Sequence, residues 1–421
     1  MTKKIRFLDL FAGAGGLSEG FIQAGYIPIA HVESDRAACF TLKTRMAYHW
    51  LNDNSKEEVY IDYLIGRITR DELYKTIPKN IINSVINSKI SRESLHDNFK
   101  KIDDMLNGDK LDLIIGGPPC QAYSLVGRSR DSKRMVGDER NYLYKLYAEF
   151  LKKYQPKFFV FENVTGLLSA KDGSGNSYFK AMLNLFKECG YSTEYEILSA
   201  DDYGVLQTRK RIILIGKKGN QTDFYPQLSK WDFKTTVSAV FENLPAIKAG
   251  EGQTVYFTKR KKIGEWLQKA GIVRNDVPIT LHQARPNNEQ DLEIYRIVVN
   301  AWNQEKRRLE YNELPEHLKS HNNRTAFVDR FKVVAADLEA SHTVVAHLSK
   351  DGHYYIHPDA DQNRSITPRE AARLQSFPDD YYFESITPVA GRTAAFRQIG
   401  NAVPVLLAKQ IAEKLREEWY E

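Results

Sequence analysis

The sequence predicts an α/β protein, a doubly wound and mostly parallel sheet flanked by helices, with a second, smaller domain inserted before the chain returns to it. Three observations carry this reading. An apolar strand, Ile5 to Phe11, passes through the glycine-rich turn Ala12-Gly13-Ala14-Gly15-Gly16 into a helix from about Leu17 to Ala24. Further apolar runs, Leu111 to Ile115, Phe158 to Phe161 and Ile212 to Ile215, read as buried strands, and a helix is expected from about Tyr178 to Cys189. Then roughly 145 residues of different character, 221–365, precede a final helical segment, so the expected division is 1–220, 221–365 and 366–421.

Composition narrows the function classes. With 421 residues, 42% hydrophobic and 27% charged, the chain can bury a full core and is long enough for two domains. A mean hydropathy of −0.49 and the lack of a long apolar run exclude a helical membrane span. Met1-Thr2-Lys3-Lys4 leads directly into strand-like sequence, so no signal peptide is expected. Three cysteines, Cys39, Cys120 and Cys189, are widely spaced and odd in number. That argues against a disulfide framework or a CxxC metal site and for a reducing, cytoplasmic setting, with no metal. The net charge of +6 permits a polyanionic partner without requiring one.

Taken in order, the elements acquire chemistry at their ends. The first strand, glycine turn and helix form the front edge of a Rossmann-like unit, in which glycines admit a ligand close to the backbone and the helix N-terminus favours an anion. The spacing is not GxGxxG, because Gly15 and Gly16 are adjacent and Ser18 occupies the last glycine's place, which weakens a dinucleotide reading. A second strand, Ile27 to Val32, ends in Glu33, where such folds bind ribose hydroxyls. The strand Leu111 to Ile115 opens into Gly116-Gly117-Pro118-Pro119-Cys120-Gln121-Ala122-Tyr123-Ser124, a loop of small and rigid residues that presents a cysteine at its tip. Phe158 to Phe161 ends in Glu162-Asn163-Val164, placing an acid at the carboxyl edge of the sheet. Tyr195 to Leu198 leads to Gln207-Thr208-Arg209-Lys210-Arg211, whose alternating arginines share one face of a strand and suit an anion or a buried acid.

Together these segments resemble the DNA cytosine-5 methyltransferase family of bacterial restriction-modification type. Phe7 to Gly16 is similar to that family's S-adenosylmethionine loop, Gly117 to Ser124 to its nucleophile loop, Glu162-Asn163-Val164 to its ENV motif and Gln207 to Arg211 to its QxRxR motif. Arg364 to Gln375 resembles the motif joining the two domains, and Gln398-Ile399-Gly400-Asn401-Ala402-Val403-Pro404 the final motif beside the first strand. Six motifs stand in family order over the whole chain.

The resemblance implies an S-adenosylmethionine-dependent methyltransferase fold, the cofactor S-adenosyl-L-methionine with S-adenosyl-L-homocysteine as product, and a double-stranded DNA substrate. It implies a monomer functionally paired with a restriction endonuclease, without a stable complex. Cys120 would attack carbon 6 of a cytosine, Glu162 would bind its N3 and amino edge, Arg211 would contact its oxygen, and Arg209 would lower the thiol pKa or hold the base. Phe7, Asp9, Phe11, Gly13, Gly15, Gly16 and Leu17 would line the cofactor site. Glu33, Pro118, Asn401 and Val403 would complete it. The adenine-contacting acid is expected at Asp97, with Asp62 and Asp103 as alternatives. Because a cytosine in a duplex cannot reach Cys120, the base must flip out, at a cost of about a few kcal/mol. Ala122 to Arg140 is expected to close over it and to order only on DNA, with Gln121, Ser124 and Arg128 contacting DNA.

The segment 221–365 resembles a target-recognition domain in position and length. Thr343 to Leu348, followed by Lys350-Asp351-Gly352, is expected to form a strand and hairpin, with Arg324, Arg330, His342 and Lys350 as base or phosphate readers. His342, His347, His353 and His357 match no zinc template. Cys39 and Cys189 read as packing residues, and the polar stretch Trp50 to Lys101 as a helical cap on the cofactor domain. Two other classes stay open, an RNA cytosine methyltransferase and a catalytically dead DNA-binding module. The long recognition segment favours DNA, and the competent residue at every catalytic position favours an enzyme.

Overall fold

The computed structural model describes residues 4–119, 142–257, 262–274, 277–325, 328–388 and 391–419. Its main sheet contains β1 (Arg6–Leu10), β2 (Ile27–Glu33), β3 (Val85–Asn87), β4 (Leu113–Gly116), β5 (Phe158–Val164), β6 (Tyr191–Ser199) and β7 (Lys210–Lys218). They lie in the order β3-β2-β1-β4-β5-β7-β6, with β7 antiparallel to both neighbours. Strand order reverses between β1 and β4, which opens a crevice at the carboxyl edge of the sheet. Because β7 runs the other way, its first residues reach that same edge. The apolar runs are continuous because both faces are covered. Alternate residues face opposite sides, so Phe7, Ile115, Val160 and Ile213 pack in one core and Leu8, Ile114, Phe161 and Leu214 in the other.

Helices α1 (Gly16–Gln23) and α2 (Arg36–Asp53) follow the first two strands. Asp35 caps α2 by accepting from the amides of Ala37 and Ala38. The stretch expected to be a helical cap does contain α3 (Glu57–Leu64), α4 (Arg70–Thr76), α5 (Lys79–Asn83) and the start of α6 (Leu95–Leu106), but it also hides β3. Helices α7 (Leu143–Tyr154) and α8 (Tyr178–Glu188) cover the opposite face, where Cys189 is buried.

In the inserted region, α9 (Ser238–Phe241), the antiparallel pair β8 (Gly252–Tyr256) and β9 (Ile279–Gln283), and α10 (Glu265–Lys269), which lies between those strands in sequence, pack into a core of the main sheet rather than apart from it. Trp266 donates to the Gly204 carbonyl at 2.9 Å. Helix α11 (Glu289–Glu305) has its own apolar cluster with Tyr311, Leu318, Phe331 and Ile356. Helix α12 (Pro368–Leu374) starts on a capping box, with Thr367 and Glu370 exchanging side-chain and backbone bonds and proline in the first turn. Helices α13 (Arg392–Asn401) and α14 (Val405–Glu417) then return to the first strand's neighbourhood. Gly20 permits α14 to seat on α1, because a Cβ there would lie 2.5 Å from Ala408 Cβ, and one on Gly16 would collide with the Val403 carbonyl. No helix among the described residues is long and apolar enough to cross a membrane.

Candidate active site

The glycine turn sits at the carboxyl end of β1. Phe11 takes φ 57° and Gly13 and Gly15 take φ 56° and 79°, so the chain reverses within five residues at a left-handed conformation that glycine tolerates. Glu33, at the end of β2, accepts from the amides of Gly13 at 2.8 Å, Ser34 at 2.7 Å and Asp35 at 2.6 Å. Beneath the turn Asp9 is buried, and its Oδ2 has no hydrogen-bond partner among the described residues. Burial, and then the charge of Glu33, holds its carboxyl well above the usual range. Leu17 and Val403 are buried beside the turn, and Asn401 is exposed at the end of α13.

A second group lies across the switch point. Arg211, at the start of β7, places Nε 2.8 Å from Glu162 Oε1, both nearly buried. The antiparallel register makes this meeting possible, since Val164 pairs with Arg211 while Glu162 pairs with Ile213. A Cβ on Gly117 would lie 2.6 Å from Glu162 Oε2, so the loop after β4 rests on this carboxylate. Asn163 fixes the next residue, donating from Nδ2 to the Pro118 carbonyl at 3.1 Å while its Oδ1 accepts from the Val164 amide. Glu162 and Asn163 therefore hold Gly117 and Pro118 in place after β4.

The two alternating arginines are used differently. Arg209 is 2% exposed and donates to the carbonyls of Val344 at 2.7 Å and Gly400 at 3.3 Å. Gln207 works beside it, donating to the Leu374 carbonyl and accepting from the Val344 amide. Gln375 extends the braid to the carbonyls of Ile399 and Ala402. A strip of the inserted region is thus tied to the joining motif and to the final motif through buried amides and one guanidinium.

The model of the C-5 cytosine-specific DNA methylase family matches residues 5–78 and 72–417. The chain belongs to that family. Membership makes it an S-adenosylmethionine-dependent DNA cytosine-5 methyltransferase. It is 39% identical to the type II methyltransferase M.Bpa9945I of Bacillus paralicheniformis over 97% of this chain and 98% of the other. It is 32% identical to M.DdeI of Desulfomicrobium norvegicum over 99% and 89%. Among solved structures, it resembles a prophage-encoded chain from E. coli described as a DNA modification methyltransferase (TM-score 0.62, 22% identity, 99% and 100% covered). The fold is also shared with the Entamoeba histolytica methyltransferase EhMeth (TM-score 0.56, 13% identity, 100% of both chains).

Several expectations for this methyltransferase change. Phe7 is a core residue, fully buried with its ring against Phe21 and His31, because it lies mid-strand and faces the helical layer. Asp97 is exposed on α6, Asp62 is paired with Arg67 on the surface, and Asp103 with Lys153. The position at the end of β3 belongs to Asn87, whose amide donates to the Glu33 and Ser34 carbonyls. Thr343 to Leu348 forms no strand. Val344 finds its partners in the side chains of Gln207 and Arg209, and residues 346–349 make a 3-10 turn. His342 is half-buried, stacked on Tyr355, and donates to the Tyr354 carbonyl; burial pushes its pKa down to about 4, so it is neutral at pH 7 and no phosphate-binding cation. Arg324 is ion-paired with Glu316 at 3.0 Å, Arg330 is half-buried and Lys350 is exposed. Cys120, Gln121, Ser124 and Arg128, with the loop Ala122 to Arg140, lie outside the described residues. Cys39 is buried, and burial pushes its thiol up to about 12. Among the described residues no cluster of His, Cys, Asp or Glu could hold a metal. Gln207, Gln375 and Asn163 stand inside motifs named above, but nothing in residue type marks them as the links between segments that their bonds make them.

Proposed function

We propose that this protein methylates carbon 5 of a cytosine within one specific duplex DNA site, as the modification enzyme of a restriction or phage-defence system, through a covalent adduct of Cys120. The observation that carries this reading is the Glu162–Arg211 pair, seated against Gly117 three residues before the cysteine. The pair would offer an acid and a guanidinium to a flat base extruded from a duplex.

The donor side fits S-adenosylmethionine. Among the described residues a Cβ on Gly13 would meet nothing within 4 Å, which leaves the front of the turn open to them, and Asp9 brings beneath it a buried oxygen that none of them partners. Gly13, Gly15, Phe11 and Leu17 would hold the methionine portion, Glu33 the ribose, and Asn87 the base side, with Pro118, Asn401 and Val403 closing the pocket. When bound, S-adenosylmethionine supplies an electrophilic methyl group and leaves as S-adenosylhomocysteine.

On the acceptor side, Cys120 as thiolate forms a bond to carbon 6 of the cytosine, and the carbon 5–carbon 6 double-bond pair moves to carbon 5. Glu162 supports the charge developing at N3 by hydrogen bonding or proton donation there, and Arg211 both aims Glu162 and faces the base oxygen. After methylation, loss of the carbon 5 proton to a base returns the electron pair to the ring and expels the thiolate. A free thiol has a pKa of about 8.5, so nearby positive charge favours the reactive form. Arg209, tied to Val344 and Gly400, acts as a positioning residue for this step. Segment 221–365 would read the sequence, with the α11 cluster as its outer body.

Bisulfite sequencing of DNA from cells expressing the protein tests the activity and reveals the site. Cys120→Ser should abolish methyl transfer while leaving site-specific binding; retained turnover would overturn the covalent step.

A further inference from the structure

The turn between β1 and α1 is held peptide by peptide. The Ala12–Gly13 peptide is fixed at both ends, since its carbonyl accepts from the Gly15 amide at 2.9 Å and its N–H donates to Glu33 at 2.8 Å. The Ala14–Gly15 peptide is fixed likewise, its N–H by Ala12 and its carbonyl by the hydroxyl of Tyr381, 2.5 Å away. Between them lies the tip peptide, Gly13–Ala14, beside the open front of Gly13.

Tyr381 comes from the far end of the chain, and its own position is determined by neighbours. The Arg45 guanidinium lies 4.7 Å from its ring centre, and Arg45 is gripped by buried Glu19 at 2.6 Å and Asp380 at 2.8 Å. Phe377 and Phe383 pack on the ring at 4.8 and 5.2 Å between centroids. Gly15 allows the approach, for a Cβ there would lie 2.9 Å from the Tyr381 oxygen.

We infer that Tyr381 is a positioning residue for the methyl donor: its hydroxyl orients the Ala14–Gly15 peptide and so sets the pitch of the tip that the donor must pass. The inference rests on the reading of the pocket given above. A buried carbonyl deprived of its donor re-aims toward another partner, and the turn has no spare one within its own bonds. Removing one oxygen should therefore cost binding, while the ring and the Arg45 contact remain.

The test compares Tyr381→Phe with Tyr382→Phe, a neighbouring buried tyrosine that packs on Tyr63 rather than on the turn. Calorimetry with S-adenosylhomocysteine alone needs no knowledge of the DNA site. Tyr381→Phe should weaken the Kd about tenfold, and Tyr382→Phe should leave it within about twofold at a comparable change in thermal midpoint. Amide exchange of residues 12–16 should quicken in Tyr381→Phe only, a readout that also serves a variant of reduced stability. In turnover, KM for the donor should rise while kcat at saturating donor stays within about twofold. An unchanged Kd with unchanged exchange in Tyr381→Phe would overturn the inference alone. Wild-type protein that binds no S-adenosylhomocysteine would overturn the reading of the pocket and this inference with it.

Discussion

Glu162 and Arg211 meet at 2.8 Å across the antiparallel pairing of β5 and β7, one at the end of its strand and the other at the start. A parallel neighbour would have put its first residues at the opposite edge of the sheet, some strand length away from the crevice. The reversed direction of β7 is thus what allows a guanidinium beside the acid. Glu162→Gln removes the charge but keeps the shape, and turnover should fall by roughly 10²- to 10⁴-fold with S-adenosylhomocysteine affinity nearly unchanged. Steady-state kinetics with calorimetry of cofactor binding checks this; a selective loss of cofactor affinity would contradict the assigned role.

Gly117→Ala tests the same contact from the other side. Its new methyl would lie 2.6 Å from Glu162 Oε2, so the carboxylate or the loop must shift. Gly117 is not among the positive-φ glycines, so the backbone itself tolerates alanine. Stability should drop by only about 1–3 kcal/mol, from overpacking, while kcat should fall on the order of 10²-fold from a misplaced reacting group. Urea denaturation and single-turnover kinetics separate the two effects.

Arg209→Met strips donors from the carbonyls of Val344 and Gly400 in a buried site. The expected loss is about 1–3 kcal/mol for each carbonyl left unsatisfied, read as a lowered urea midpoint. Arg209→Lys should recover part of it. DNA affinity should weaken in the methionine variant, because the strip at Val344 belongs to the inserted region, and a gel-shift titration on the mapped site measures that.

Acid should loosen the fold through buried histidines. His31 and His357 are 1% and 3% exposed, and burial holds each at a pKa of about 4 against an ordinary value of 6.5. The unfolded chain binds these protons first, so stability is full above about pH 6.5 and declines as pH falls toward 4. Urea midpoints at pH 7.5, 6 and 5 should fall in that order, and His31→Gln should flatten the slope.

The sequence displayed the sheet wherever burial left long apolar runs, as at Phe158 to Phe161 and Ile212 to Ile215. It hid β3, because three residues inside a polar helical stretch carry too little periodicity to show. Thr343 to Leu348 misled for the opposite reason. Alternating β-branched residues describe a strand, but these backbone groups bond to Gln207, Arg209 and Tyr355 side chains. Within the candidate site, residue type and strand position pointed to Glu162, whereas the partners of Arg209 depended on which loop lies over it. Tyr381 was invisible because an aromatic among Phe377, Tyr382 and Phe383 reads as core, and the bond of its hydroxyl spans 367 positions.

Gly16 lies against the Val403 carbonyl and Gly20 against Ala408, so the first helix and the last are two halves of one wall. During synthesis the earliest residues of the pocket must wait, unpaired, for nearly four hundred successors to emerge. Donor binding at the proposed pocket therefore awaits the synthesis of residue 403 and the helix behind it, and a chain cut short before that residue lacks the wall. The same joint invites a direct physical use: a break placed between the two halves, outside both helices, would give fragments whose reassembly could be followed by recovery of cofactor binding.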